Sequence, residues 1–281
     1  MQQTVTSSVA ALKGALTRAR SAAWALRGSR NGGGVPGFRI LLYHRVSGDG
    51  DVLAVIPDRF REQMDWLAAN GYRAVDLLSA CNSLLQGPEV LAVTFDDGFR
   101  DVAENAAPVL ERHGFSATVF ACPHVVDRRA SFRWYDRQPS VLGWDELVRL
   151  DGEGTLSFEA HTLTHPDLRE LTEAEARAEI EGSKRELEAR LGRPVEAFCY
   201  PSGLFGRRER QLVSEAGFRA AVSCEPGLNT ATTDPLTLHR IQVEATDRLL
   251  DFRAKLAGAH DAPLPGRALY RRLRYRDSSR S

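Results

Sequence analysis

The sequence predicts a parallel β/α architecture, either a barrel or a wound sheet, and three observations carry that expectation. Strand-like apolar runs alternate with helical patterns from Phe38 to about residue 257, as expected of parallel strands joined by crossover helices. Polar clusters stand directly after several of the strand runs, where the loops of a β/α fold converge. With 43% hydrophobic and 26% charged residues over 281 positions, the composition is that of a soluble globular chain with ample core material. No internal repeat is evident.

The elements follow in order. "FRILLYH" (38–44) is a buried strand candidate closed by His44. Phe60, Met64, Leu67 and Ala68 give the span 57–70 one apolar helical face, and Gly71 stops it. Further strands are expected at 90–95, 116–122, 155–160, 196–200, 219–223 and 238–243. Helices are expected between and after them at about 100–113, 143–150, 172–191, 207–216 and 246–257. The longest opens with Thr172-Glu173-Ala174-Glu175, a capping box, and ends at Gly192 and Pro194.

"SRNGGGVPG" (29–37) reads as a flexible linker. The domain reading is therefore a basic appendage and linker over 1–37, a folded domain over 38–260 and a basic tail over 261–281. Formal net charge is zero, which gives no argument for a nucleic-acid partner. Residues 1–35 nevertheless carry five basic and no acidic residues, and the tail from Arg267 carries six arginines against Asp277. Such ends read as solvated tails or as weak electrostatic docking to an anionic membrane or substrate. The four cysteines lack any CxxC pair, and Cys122, Cys199 and Cys224 sit in strand-like apolar runs. Reduced buried thiols are the expectation there. No run has the makings of a signal peptide or a membrane span. A cytoplasmic chain, peripheral at the inner membrane face at most, is the resulting expectation.

Chemistry concentrates in two stretches. "VTFDDGFRD" (93–101) ends a strand run in Asp96-Asp97-Gly98, and "EAHTLTHPDL" (159–168) places His161 and His165 four apart. A His-x-x-x-His pair can clamp one metal, and imidazole suits zinc, cobalt, nickel and iron. A carboxylate is the usual third ligand, and the aspartate pair supplies one with another left over. In an open three-ligand site the metal lowers the pKa of a bound water. The spare carboxylate would then serve as general base.

"TFDDG" (94–98) and "HTLTH" (161–165) resemble the first two motifs of the polysaccharide deacetylases, carbohydrate esterase family 4, with similarity to the chitooligosaccharide and poly-N-acetylglucosamine deacetylases. The resemblance spans residues 38 to about 257. It implies a distorted β/α barrel and metal-dependent removal of N-acetyl groups from amino sugars. It implies Asp96 as base and Asp97, His161 and His165 as ligands of a divalent metal, zinc first, with Co²⁺ or Ni²⁺ as alternatives. "CYPSG" (199–203) matches the third motif in part: Pro201 and Gly203 fit, whereas Cys199 and Ser202 stand where Arg and Tyr are frequent. The Ser202 N–H could still donate to an oxyanion. Arg240 is one candidate to substitute for the missing arginine, on position alone. Two histidines are candidates for the general acid, His239 in "LTLHRIQV" and His44 in "LLYHRV", and His44 is favoured because it is similar to the early histidine of the poly-N-acetylglucosamine enzymes. Trp134, Tyr135 and Tyr200 are candidate sugar-stacking residues.

The leading expectation is hydrolysis of an N-acetylated sugar or glycan. The rivals are an esterase or amidase of the same fold acting on another substrate, and a non-catalytic glycan-binding relative. The oligomeric state and the particular sugar are not read from the sequence.

Overall fold

The computed structural model of the protein describes residues 2–26, 36–82 and 89–261. In chain order the elements are α1 (Gln2–Leu26), β1 (Gly37–Tyr43), the short pair β2 (Arg45–Val46) and β3 (Ala54–Val55), α2 (Pro57–Ala69), β4 (Arg73–Val75), α3 (Leu77–Asn82) and β5 (Val90–Phe95). There follow α4 (Ala107–Arg112), β6 (Ala117–Ala121), α5 (Pro123–Val126), α6 (Trp144–Glu153), β7 (Leu156–Ala160), α7 (Glu173–Leu191) and β8 (Ala197–Cys199). The last are α8 (Arg207–Glu215), β9 (Ala220–Val222), β10 (Asn229–Thr230), β11 (Ile241–Gln242) and α9 (Leu249–Leu256).

Strands β1, β5, β6, β7, β8 and β9 lie side by side in that order, and every pairing among them is parallel. On its other edge β1 pairs in parallel with β11, and a Val222–Leu238 bridge joins β9 to the segment leading into β11. The sheet thus curls until residues 238–242 touch both its first and its last strand, giving a distorted β/α barrel. β4 pairs with the first half of β5 and was not expected from the sequence, being only three residues long. The helix expected over 100–113 divides into a π-helical turn, Val102–Ala106, and α4. Pro108 in the first turn of α4 has no N–H for the regular ladder. The appendage expected at the N-terminus contains a 25-residue helix, α1, which packs on α9.

Strand parity decides what faces where. Leu91, Val93 and Phe95 of β5 point outward into a core with Leu41, Tyr43, Val119, Phe158, Phe60 and Met64. Ala92 faces the opposite way, into a core with Ile40, Phe120, Ala197, Cys199 and Val222, against which Leu77 and Ala80 of α3 pack. Thr94 and then Asp96 continue that inward series. The carboxylate that ends the strand is therefore aimed into the barrel by the alternation alone.

Candidate active site

β5 ends at Phe95, but the ladder to β1 carries on one residue further: the Asp96 N–H donates to the Tyr43 carbonyl at 3.0 Å. The chain then turns sharply through Asp97 (φ +74°) and Gly98 (φ +70°), left-handed conformations that Asp tolerates and Gly adopts freely. Just after β7, the His161 N–H donates to the Ala121 carbonyl, and its Nδ1–H donates to the Cys199 carbonyl at 2.7 Å. A carbonyl only accepts, so this bond fixes the tautomer and leaves Nε2 with its lone pair free to ligate. Nε2 lies 3.6 Å from Asp97 Oδ1, and His165 Nε2 lies 3.8 Å from the same oxygen.

His165 reaches that position through a strained loop. Thr162 and His165 both have φ of +62°. The His165 N–H donates to Thr162 Oγ1, and that hydroxyl donates to the His161 carbonyl. Glu179 on α7 clamps the loop from outside, its carboxylate accepting from the Leu163 N–H, the Thr164 N–H and the Thr164 hydroxyl at 2.7–2.9 Å. Glu179 was missed at the sequence level because a glutamate on a charged helix carries no signal of an inward task.

The electrostatics suit a cation. Asp97 Oδ1 is buried without a hydrogen-bond partner. Burial, and then the charge of Asp96, push the Asp97 carboxyl well above the usual range. Burial lowers His161 to about 4 and drives His165 well below its ordinary value, keeping both imidazoles neutral. An orphaned carboxylate oxygen facing two neutral ring nitrogens fits a divalent metal, and Asp97, His161 and His165 are close enough to share one. Asp96, His161 and Cys199 also cluster, but there Asp96 is otherwise engaged.

Asp96 is gripped by Arg240, whose Nη1 and Nη2 donate to its two carboxylate oxygens at 2.7 and 2.8 Å. Burial opposes ionisation, yet the Arg240 charge prevails and holds Asp96 well below the usual carboxylate range. The fully buried guanidinium also donates to the Ser223 carbonyl, Thr94 Oγ1 and Cys199 Sγ. A cysteine at 199 leaves the volume that an arginine from residue 240 occupies.

The other expected residues divide. His44, half-buried at the end of β1, acts electrostatically on Asp96, His161 and His165. His239 lies elsewhere. Ile241 stands opposite Leu41, so His239 is level with Arg39, about 13 Å of strand rise before the Tyr43 end. Its backbone is bracketed there by the Asn229 side chain. Tyr200 is likewise corrected as a sugar-binding residue. It is fully buried, stacked on Phe205 at 4.3 Å, with its hydroxyl donating to the Leu236 carbonyl. Ser202 (φ +56°) sits in the tight turn Pro201–Gly203 after β8. Gly203 is required there because a Cβ would stand 2.4 Å from the Cys224 backbone nitrogen. Trp134 is 44% exposed, stacks on Phe132 at 4.8 Å and meets the His165 ring edge-on at 4.7 Å. The Tyr135 hydroxyl donates to Asp51 Oδ2, and its ring meets Phe99 edge-on at 6.0 Å.

Comparison with known proteins agrees with this geometry. Residues 86–221 match the polysaccharide deacetylase family. The putative polysaccharide deacetylase YxkH of Bacillus subtilis (strain 168) is 27% identical over 208 residues, covering 73% of this chain and 70% of that protein. Among solved structures, BC0361, a polysaccharide deacetylase from Bacillus cereus, superposes with a TM-score of 0.66 at 26% identity, covering 78% of this chain and 69% of that one. The Streptococcus pyogenes deacetylase PplD in complex with acetate shares the fold, with a TM-score of 0.69 at 22% identity over 78% of this chain and 98% of that one. With the barrel, the Asp-Asp pair and the His-x-x-x-His loop in place, residues 86–221 carry a polysaccharide deacetylase domain, and the likeness to these relatives indicates a hydrolase of carbon–nitrogen bonds other than peptide bonds.

Proposed function

We propose that this protein hydrolyses the N-acetyl group of an N-acetylated amino sugar or glycan with a divalent metal held by Asp97, His161 and His165. The observation that carries the reading is the division of labour between adjacent aspartates. One is an orphaned oxygen facing two neutral imidazoles. The other is locked as a carboxylate by Arg240. When bound, the metal would polarise the acetyl carbonyl and make a nearby water more acidic. Asp96, ionised throughout the neutral range, accepts the proton from that water. His44 returns a proton to the departing amine, without which the C–N bond would have to release an amide anion. The Ser202 N–H donates to the carbonyl oxygen as charge builds on it. Trp134 offers a face to the sugar ring beside His165.

The test is acetate release across N-acetyl sugars and their oligomers, sugar esters and small amides, with Zn²⁺, Co²⁺ or Ni²⁺ supplied and then chelated. Turnover of N-acetyl sugars that chelation abolishes and metal restores is expected. Turnover of esters alone would move the assignment to an esterase, and no turnover with no bound metal would leave only a glycan-binding relative.

Two further results are expected. Trp134→Ala should raise KM for an N-acetyl sugar oligomer by roughly ten-fold with little change in kcat, since a stacked ring contributes about 0.5–1.5 kcal/mol beyond its buried area. Steady-state kinetics on oligomers of increasing length would check it. Glu179→Ala should weaken metal binding about 10–100-fold, the usual cost of losing a group that orients ligands, as read by titration against a competing chelator.

A further inference from the structure

Formal neutrality conceals a polarised chain. Residues 1–35 contain five basic and no acidic residues, and residues 262–281 contain six arginines and one aspartate. Of 37 basic and 37 acidic residues in all, that leaves 26 basic and 36 acidic in residues 36–261, a net excess of ten negative charges. Ser21 of α1 meets His260, Oγ to Nε2 at 3.3 Å, so residue 260 lies beside α1.

Helix α1 has two distinct faces. Gly14, Thr17 and Ser21 are buried. Thr246 lies so close to Gly14 that a Cβ there would stand 3.2 Å from its hydroxyl. The opposite face is apolar and uncovered: Leu16 is 43% and Leu26 88% exposed, with Ala19 and Ala23 exposed between them. In the sequence the same four-three spacing runs back through apolar residue types at positions 12, 9 and 5. The exposed stripe of Leu16, Ala19, Ala23 and Leu26 needs a partner. A second copy of the chain would set Arg18 and its basic neighbours against their equivalents, with no acidic residue in the segment to offset them. A bilayer rich in anionic lipid takes up the apolar stripe and attracts the net positive charge of the segment together.

We propose that the outer face of α1 is a docking surface for an anionic membrane, with the acidic body held away from it. The proposal does not depend on the chemistry assigned to the barrel, and its test does not read activity. The full-length protein should co-sediment with vesicles of equal parts phosphatidylglycerol and phosphatidylcholine. It should bind pure phosphatidylcholine vesicles at least about ten-fold more weakly, a gap that closes in high salt. Leu16→Asp, Ala23→Asp and, separately, Arg18→Glu should each lower binding to the mixed vesicles several-fold, with circular dichroism and thermal unfolding unchanged. Equal binding to both vesicle types overturns the proposal, as does binding that all three variants leave intact. Binding that disappears only when residues 262–281 are removed overturns it too. So does a dimer that Leu16→Asp splits while vesicles capture nothing.

Discussion

Asp96→Asn is expected to cut kcat by about 10³-fold, within the range that a positioned general base contributes, while the protein still binds its metal. The amide matches the carboxylate in size, and its oxygen can still accept from Arg240, so the interior is not opened. It cannot accept a proton from water. The metal should remain because Asp97, His161 and His165 make no hydrogen bond to Asp96. Measuring kcat beside metal stoichiometry separates the roles, and equal loss of both would assign Asp96 to the ligand set and sink the division of labour. Because Asp96 is held ionised far into acid, the acid limb of the wild-type pH profile should belong to another group.

Arg240→Met is expected to destabilise the fold by about 3–5 kcal/mol, the usual cost of stripping one partner from a buried ion pair. Two buried carboxylates would then stand side by side without the guanidinium, and repulsion with burial would push the pKa of Asp96 upward. Activity should fall at neutral pH and recover in part as pH rises. The sign of the stability effect follows from the depressed pKa of Asp96. The pair stabilises fully above the unfolded carboxylate value of about 3.9 and loses that contribution as pH falls toward the folded one. The difference between wild type and variant should therefore be full at neutral pH and shrink in strong acid, as chemical denaturation at several pH values would show. Arg240→Lys should rescue only partly, since an ammonium cannot reproduce the two-pronged contact. A variant as stable as wild type would remove Arg240 from its place as the partner of the base.

What was legible at the level of sequence was local. Asp96-Asp97-Gly98 and His161-x-x-x-His165 are contiguous motifs whose residue types declare their chemistry, and both stand where strand signals end. Tyr200 misled for the opposite reason. It sits in a motif beside the site, but the strand alternation that turns Cys199 inward turns Tyr200 out beneath α8, into the core with Phe198 and Phe218. His239 misled because sequence gives order along a strand and not its level relative to another strand. Glu179 and the neighbours of α1 were invisible because nothing near them in the chain hints at what they touch.

The sequence by itself determined the parallel β/α alternation, the strand ends that carry chemistry, the two motifs of the site and the opposed charges of ends and body. Hydrophobic period and residue type are properties of short stretches, and short stretches are enough for these. Only the tertiary structure decided which cation holds Asp96. The barrel curls until residue 240 reaches residue 96 across 144 positions of chain. An arginine that enters from the closing segment, where the motif led one to look on β8, is a consequence of that closure and of the volume left by a cysteine.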